Sequence, residues 1–194
     1  MKTVIIKYNA GNTRSVSFAL ERIGINALIT DDVEEIRTAD KVILPGVGEA
    51  SSAMQYLREK KLDTAICSLK QPILGICLGM QLMCNFSEEG KTKCLGIFNQ
   101  DIKLFGLSEL KVPQMGWNTI TDLKTNIFNG INENEYQYLV HSYYAEVGNE
   151  TIAKTNYGIN YSSALNKNNF YGVQFHPEKS GPAGQRLLKN FIEL

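Results

Sequence analysis

The first half of the chain alternates short apolar runs with longer amphipathic stretches. The apolar runs predict strands at residues 3–8, 27–30, 41–45 and 72–76. The amphipathic stretches predict helices at residues 13–23, 49–60, 62–69 and 78–86. Because strand and helix alternate, this pattern favours an α/β fold with a mostly parallel central sheet flanked by helices.

The second half has a different pattern, in which short strand candidates are separated by turns. Examples are residues 135–141, 143–147 and 170–175, and a final amphipathic helix is predicted at residues 183–192. Hairpins in this half would add antiparallel strands to the sheet. No linker rich in Pro, Gly or Ser divides the halves, so we expect residues 1–194 to form one domain.

Composition and charge bear on the kinds of partner that the protein could bind and on its location in the cell. The 20 Lys and Arg residues balance the 20 Asp and Glu residues, and no long basic run is present. The charge therefore gives no reason to expect nucleic acid or an anionic membrane as a partner. The apolar runs are too short to span a bilayer and the N-terminus lacks a signal-peptide pattern, so we expect a cytoplasmic protein.

Cys77 differs from the other cysteines in its setting. Cys67, Cys84 and Cys94 have the features of core thiols, and no C-x-x-C pair or nearby histidine predicts a metal site. Cys77 lies in Gly75-Ile-Cys-Leu-Gly79, between a buried strand and a helix, which is the thiol version of a nucleophile elbow. Backbone N–H groups at the start of that helix could hold an oxyanion. Taken alone, the pattern fits a buried core cysteine equally well.

A cysteine nucleophile usually needs a base, and the sequence contains two histidines. His176 follows an apolar run and precedes Pro177-Glu178, and residues two apart in an extended segment point to the same side. Glu178 could therefore orient His176. His141 has no acid at this spacing, so we expect a structural role for it.

The turn at Pro45-Gly-Val-Gly48 follows another predicted parallel strand. It would lie at the same edge of the sheet as Cys77, where it could supply a second oxyanion N–H group. A plain strand-to-helix turn is the alternative interpretation.

Together these segments resemble the class I (triad) glutamine amidotransferase family. The match includes Gly75-Ile-Cys-Leu-Gly-Met-Gln81, the turn after residues 41–45 and His176-Pro-Glu178, and it spans nearly the whole chain. The resemblance implies glutamine hydrolysis without a cofactor, by a triad of Cys77, His176 and Glu178. It also implies backbone oxyanion donors at Val47 and Leu78, and glutamine contacts from Gly48, Gln81, Ser142 and Tyr143.

A narrower resemblance is to the glutaminase subunits of imidazole glycerol phosphate synthase, a histidine-pathway enzyme. It rests on residues 11–16, 45–48, 113–118, 140–144 and 172–180. It implies a heterodimer in which a separate (β/α)₈-barrel cyclase subunit receives the ammonia. Trp117, Asn118 and Lys179 would then lie toward that subunit. The chain departs from the usual pattern at Tyr8-Asn-Ala10 and at Gln114, where Asp-Tyr-Gly and His are common.

Two other functions are compatible with parts of this pattern. One is the glutaminase of another pathway, such as anthranilate or aminodeoxychorismate synthesis. Residues 113–118 and the continuation Glu178-Lys-Ser180 argue against it. The other is a cysteine-based stress protein or sensor on a similar fold. Gln81 and the complete His176-Pro-Glu178 segment argue against that.

Overall fold

A computed structural model describes residues 1–9, 11–106 and 110–194. Ala10, part of the unusual opening segment, lies outside the described residues. The strands in that part of the chain are β1 Thr3–Ile6, β2 Ala27–Thr30, β3 Lys41–Leu44, β4 Ile73–Ile76, β5 Phe86–Ser87, β6 Thr92–Lys93, β7 Asp101–Leu104, β8 Gln114–Ile120, β9 Glu135–His141, β10 Tyr143–Ala145, β11 Thr151–Tyr157, β12 Ile159–Lys167 and β13 Phe170–Val173. The α-helices there are α1 Thr13–Glu21, α2 Val33–Arg37, α3 Ala50–Glu59, α4 Leu62–Ser68, α5 Leu78–Leu82 and α6 Gly181–Ile192.

The main sheet has a parallel centre that continues into antiparallel strands. Its order is β2-β1-β3-β4-β13-β12-β10-β7-β5-β6, with β11 paired to β12. The pairs from β2 to β13 are parallel, whereas β12 pairs antiparallel with β13 and with β10. Strands β8 and β9 form a separate antiparallel pair. The predicted α/β class, with a parallel core and antiparallel additions, is confirmed.

The central strands are buried on both faces of the sheet. Strands β1, β3 and β4 are buried at every position. Neighbouring side chains point to opposite faces, so Val4 and Val42 join one apolar cluster while Ile5 and Ile43 join the other. Because both faces of the sheet are covered, polar side chains on these strands can contact solvent or a ligand only at the strand ends.

Strand β13 forms an antiparallel hairpin with β12, as expected for the second half, but it also joins the parallel part of the sheet, which the sequence did not predict. It pairs in parallel with β4, with Val173 opposite Ile76, and antiparallel with β12 on its other side. The sequence pattern of a buried strand does not reveal which neighbour it pairs with. The parallel pairing places the residues after β4 and β13 at one edge of the sheet.

Helix α5 ends earlier than the predicted helix over residues 78–86. Carbonyl groups at its last residue and just beyond it accept hydrogen bonds from the following loop. Leu95 N–H donates to Leu82 O and Gly96 N–H donates to Cys84 O, at 2.8 Å each. Those acceptors are therefore unavailable to a longer helix. Helix α2 was missed because its five residues bury only Ile36, which is too short for a visible apolar stripe.

Across residues 1–9, 11–106 and 110–194, no helix combines the length and apolar character needed to cross a bilayer.

Candidate active site at the ends of strands β4 and β13

Cys77 lies at a sharp turn between β4 and α5. Its backbone has φ 53° and ψ −111°, a conformation that a residue with a side chain rarely adopts. A Cβ atom at Gly79 would lie 1.9 Å from the carbonyl oxygen of Leu44, and one at Gly75 would lie 2.8 Å from the backbone of Gly79. Both flanking glycines are therefore required by close packing, as the elbow pattern predicted.

His176 follows β13 and is brought beside Cys77 by the parallel pairing of β13 with β4. The Cys77 N–H donates to Val173 O at 2.7 Å, and the His176 N–H donates to Tyr138 O at 2.8 Å. The first bond ties the turn that carries the sulfur to the end of β13, and the second ties the segment that carries the imidazole to β9. Two residues far apart in sequence thus meet at one edge of the sheet.

Glu178 contacts His176 as predicted, but the extended segment expected between them was wrong, because residues Pro177–Lys179 form a 3₁₀ turn. Glu178 Oε1 lies 2.8 Å from His176 Nδ1, and both side chains are buried. The same oxygen accepts a hydrogen bond from Asn12 Nδ2 at 2.7 Å. Within the described part of the chain, His176 Nε2 has no hydrogen-bond partner. Because Nδ1 is engaged by Glu178, Nε2 is the nitrogen available for proton transfer.

The two histidines have opposite electrostatic environments. Burial opposes a charged imidazole at His176, but the Cys77 sulfur and Glu178 outweigh it and raise the pKa of His176 to about 10. Burial lowers the pKa of His141 to about 4, with the bond to Tyr143 O opposing this shift. His141 is therefore neutral at pH 7 and donates from Nδ1 to Tyr143 O, which lies 2.7 Å away.

A cavity of about 340 Å³ opens in front of Cys77. It is lined by Cys77 together with the predicted oxyanion and glutamine-contacting residues Val47, Gly48, Leu78, Gln81, Ser142 and Tyr143. His176 and Glu178 are buried and do not line the cavity. The structure thus gathers residues from four separate motifs around one small cavity.

Glu89 also lines this cavity and was missed by the sequence analysis. Its Oε2 accepts a hydrogen bond from the Ala50 N–H at 2.8 Å, which holds the carboxyl group in place. Burial raises the pKa of Glu89, the bond from Ala50 opposes this rise, and nearby Glu49 adds to it. Such a carboxylate is a suitable partner for a cationic group on a ligand.

The Pro45–Gly48 turn is held against the elbow. The buried Tyr8 hydroxyl donates to Pro45 O, and a Cβ atom at Gly46 would lie 2.6 Å from Gly79 N and 2.7 Å from the Tyr8 oxygen. Gly48 has φ 130°, a value that favours glycine. The turn and the elbow therefore form one packed unit.

The three residues expected to face a partner are divided between two environments. Trp117 and Lys179 both contact Tyr138, with Trp117 edge-on at 6.0 Å between ring centroids and the Lys179 nitrogen 5.7 Å from the ring centre. The Asn118 side chain instead donates to Asn156 O at 2.9 Å. Alternation along β8 accounts for this difference.

In the parts of the chain that the structure describes, no group of three potential metal ligands comes together. All four cysteines are free. Cys77, Cys84 and Cys94 are buried, whereas Cys67 is exposed, so the prediction of a core thiol was wrong for Cys67.

Comparison with known proteins identifies the family. The family model of class-I glutamine amidotransferases matches residues 4–194. The chain is 58% identical over 196 residues to the imidazole glycerol phosphate synthase subunit HisH of Bacteroides fragilis strain YCH46, covering 100% of both chains. It is 49% identical over 190 residues to HisH of Haemophilus influenzae strain Rd, covering 97% of this chain and 96% of that protein.

The fold is also found in solved structures. A crystal structure of a glutamine amidotransferase aligns with a TM-score of 0.76 at 17% identity, covering 98% of this chain and 97% of that one. That likeness supports the architecture, whereas the family model and the full-length relatives support membership. The chain belongs to the class I glutamine amidotransferase family, as its motifs predicted.

Proposed function

We propose that this chain is the glutaminase subunit of imidazole glycerol phosphate synthase, and that residues 1–194 form one amidotransferase domain. The observation that carries the proposal is the contact set at the ends of β4 and β13. There Cys77, the His176–Glu178 pair and a cavity lined by Gln81 and Glu89 adjoin one another. The HisH relatives make imidazole glycerol phosphate synthesis the preferred pathway.

In the proposed reaction, the Cys77 thiolate attacks the side-chain amide carbon of glutamine. The imidazolium of His176 gives its proton to the departing nitrogen, so that the C–N bond breaks, ammonia leaves and a thioester remains. Neutral His176 then takes a proton from water, which attacks the thioester and releases glutamate. Glu178 orients His176 throughout, and backbone N–H groups of Val47 and Leu78 hold the oxyanion.

We assign the rest of the cavity to glutamine recognition. Glu89 would pair with the α-ammonium group, and Gln81 would accept from it through Oε1. Gly48, Ser142 and Tyr143 would contact the remaining polar groups of the amino acid. The cavity volume of about 340 Å³ suits a substrate of this size.

For the partner, we propose the (β/α)₈-barrel cyclase subunit of the same synthase. Strands β8 and β9 expose large apolar side chains on one face, with Met115 at 64%, Trp117 at 55% and Tyr136 at 59% exposure. A face of this kind, with Lys179 beside it, is typical of an interaction surface. Asn118 belongs to the same pair of strands, and its bond to Asn156 O would support that surface from behind.

The direct test measures glutamate released from glutamine by the chain alone, with the cyclase, and with the cyclase plus its nucleotide substrate. We expect turnover to depend on Cys77 and to rise when the cyclase and its substrate are present. Cys77→Ala should abolish hydrolysis while leaving the fold intact, and Cys67→Ala is the control that should retain activity. Stimulation by an anthranilate-type synthase subunit instead would contradict the pathway assignment, and activity in Cys77→Ala would contradict the triad.

A further inference from the structure

Gln174 contacts both the proposed nucleophile and a proposed glutamine-binding residue. It lies between β13 and His176 and is fully buried. Its Nε2 lies 3.5 Å from Cys77 Sγ, within hydrogen-bond range for sulfur. Its Oε1 accepts a hydrogen bond from Gln81 Nε2 at 2.9 Å. One amide group thus joins the sulfur to the substrate cavity.

The hydrogen-bond network determines which end of the Gln174 amide faces the sulfur. Gln81 Nε2 also donates to Tyr143 O, at 3.0 Å, and a carbonyl oxygen can only accept. The Gln81 nitrogen is therefore fixed on that side. Gln174 must present its oxygen to this donor, which turns its N–H toward Cys77. The reverse orientation would place two donors face to face and an oxygen against the sulfur.

We propose that Gln174 is a further catalytic residue, whose side-chain N–H donates to the Cys77 sulfur and stabilises it as a thiolate. An N–H donor favours the anion over the thiol. The Val140 carbonyl oxygen, 3.9 Å from the sulfur, acts in the opposite direction because it can accept only from a thiol. The consequence for turnover rests on the proposed role of Cys77, whereas the contact itself can be tested without glutamine.

The other titratable groups near the Cys77 sulfur do not change charge near neutral pH, so they would not mask an effect of the Gln174 donor. His176, backed by Glu178, has a pKa raised to about 10 and therefore keeps its charge across neutral pH. Burial raises the pKa values of Tyr8 and Tyr161, so both remain neutral at neutral pH and above. Loss of the Gln174 donor should therefore be visible as a change in the ionisation of Cys77 against a constant background.

The arrangement also links substrate binding to the nucleophile. Gln81 uses Nε2 for Tyr143 and Gln174, which leaves its Oε1 for a ligand in the cavity. A ligand that donates to Oε1 polarises the Gln81 amide, and polarisation is passed along a chain of hydrogen bonds. The Gln174 N–H then becomes a stronger donor to the sulfur when glutamine is bound.

The experiment is the pH dependence of alkylation of Cys77 by iodoacetamide, followed on the Cys77 peptide by mass spectrometry. Methionine has a similar length to glutamine but no N–H donor. In Gln174→Met we therefore expect the pH at which alkylation of Cys77 is half-maximal to move up by about 1 to 2 pH units. Gln137→Met is the matched control. Gln137 is an equally buried glutamine, and its amide makes no hydrogen bond within the described part of the chain. Its substitution should leave the midpoint unchanged.

A second measurement covers the case in which Gln174→Met does not fold. In the unsubstituted protein, the side-chain amide resonances of Gln174 should titrate with the alkylation midpoint of Cys77, and Cys77→Ala should abolish that transition. An unshifted midpoint in a folded Gln174→Met variant, or Gln174 resonances that ignore the ionisation of Cys77, would overturn the proposal. Neither result depends on whether Cys77 hydrolyses glutamine, which Cys77→Ala tests separately.

Discussion

Asn12 and Glu178 are 166 positions apart in sequence and joined by a hydrogen bond of 2.7 Å. The acceptor is Oε1 of Glu178, the same oxygen that engages His176 Nδ1 at 2.8 Å. Asn12 stands at the start of α1, yet its side chain makes no capping bond to that helix. It is directed instead toward the carboxylate, and its φ of 112° reflects this unusual placement. We therefore expect Asn12 to act through Glu178 as a positioning residue.

Asn12→Ala should lower kcat for glutamine by about tenfold, since a hydrogen bond to a charged group contributes about 1.5–3 kcal/mol and only part would be lost from the transition state. Steady-state kinetics with the cyclase present would measure this. Asn9→Ala is the control, because Asn9 in the same loop donates to Ser52 O, away from the triad. Equal losses in both variants would indicate a general effect of the loop.

The titration of the two histidines provides a second prediction. With a pKa raised to about 10, His176 should stay protonated at neutral pH and lose its proton only as the pH rises toward 10. His141, lowered to about 4, should already be neutral above pH 5. In Cys77→Ala the pKa of His176 should fall, because burial still opposes the charge and only Glu178 supports it. Imidazole NMR resonances followed against pH would measure both, and an unchanged His176 in Cys77→Ala would contradict the coupling.

Glu89→Gln should raise KM for glutamine by about 10- to 100-fold with a smaller change in kcat. The reason is that a charged hydrogen bond to the α-ammonium group would be made equally in the ground state and the transition state. Glu88→Gln is the neighbouring control, since Glu88 contacts Lys103 at 3.7 Å and does not line the cavity. A loss confined to kcat would argue that Glu89 has another role.

Gly48→Ala should reduce kcat by about 100- to 1,000-fold if the turn supplies one oxyanion donor, since loss of one donor typically has this effect. The φ of 130° at Gly48 is unfavourable for alanine, so the turn must change conformation. Gly106→Ala is the matched control, because an added Cβ atom there would meet no other atom within 4 Å among the described residues. Full activity in Gly48→Ala would contradict the hypothesis that this turn supplies an oxyanion donor.

The sequence predicted the proposed triad residues, but it did not predict the contacts that Glu89 and Asn12 make around them. Cys77 and the His176–Glu178 pair carry local patterns, a glycine-flanked elbow and a fixed spacing, that reflect backbone geometry within a few residues. Glu89 has no such pattern, since its contact to Ala50 depends on how a distant loop packs. Asparagine is also a common helix cap, so the residue type of Asn12 does not reveal that its side chain contacts Glu178. Only the tertiary structure shows that contact.

The same limit applies to the sheet. Apolar runs predicted the positions of β3 and β4 because burial on both faces leaves a continuous apolar signal. The parallel pairing of β13 with β4 could not be predicted, because strand partners are chosen by long-range packing. The early end of α5 could not be predicted either, because the N–H groups that bind the carbonyl oxygens at its end come from residues 95–97, outside the helix.

The insertion of β13 between β4 and β12 has a consequence for the order in which the enzyme is made. Synthesis delivers the elbow at residue 77 long before residues 170–178, and until then β4 lacks its neighbour in the middle of the sheet. A nascent chain at that stage therefore holds Cys77 without the histidine that we propose as its base. If the proposed triad is correct, competence for glutamine cleavage has to wait until this late strand fills the central gap and brings His176 beside the sulfur.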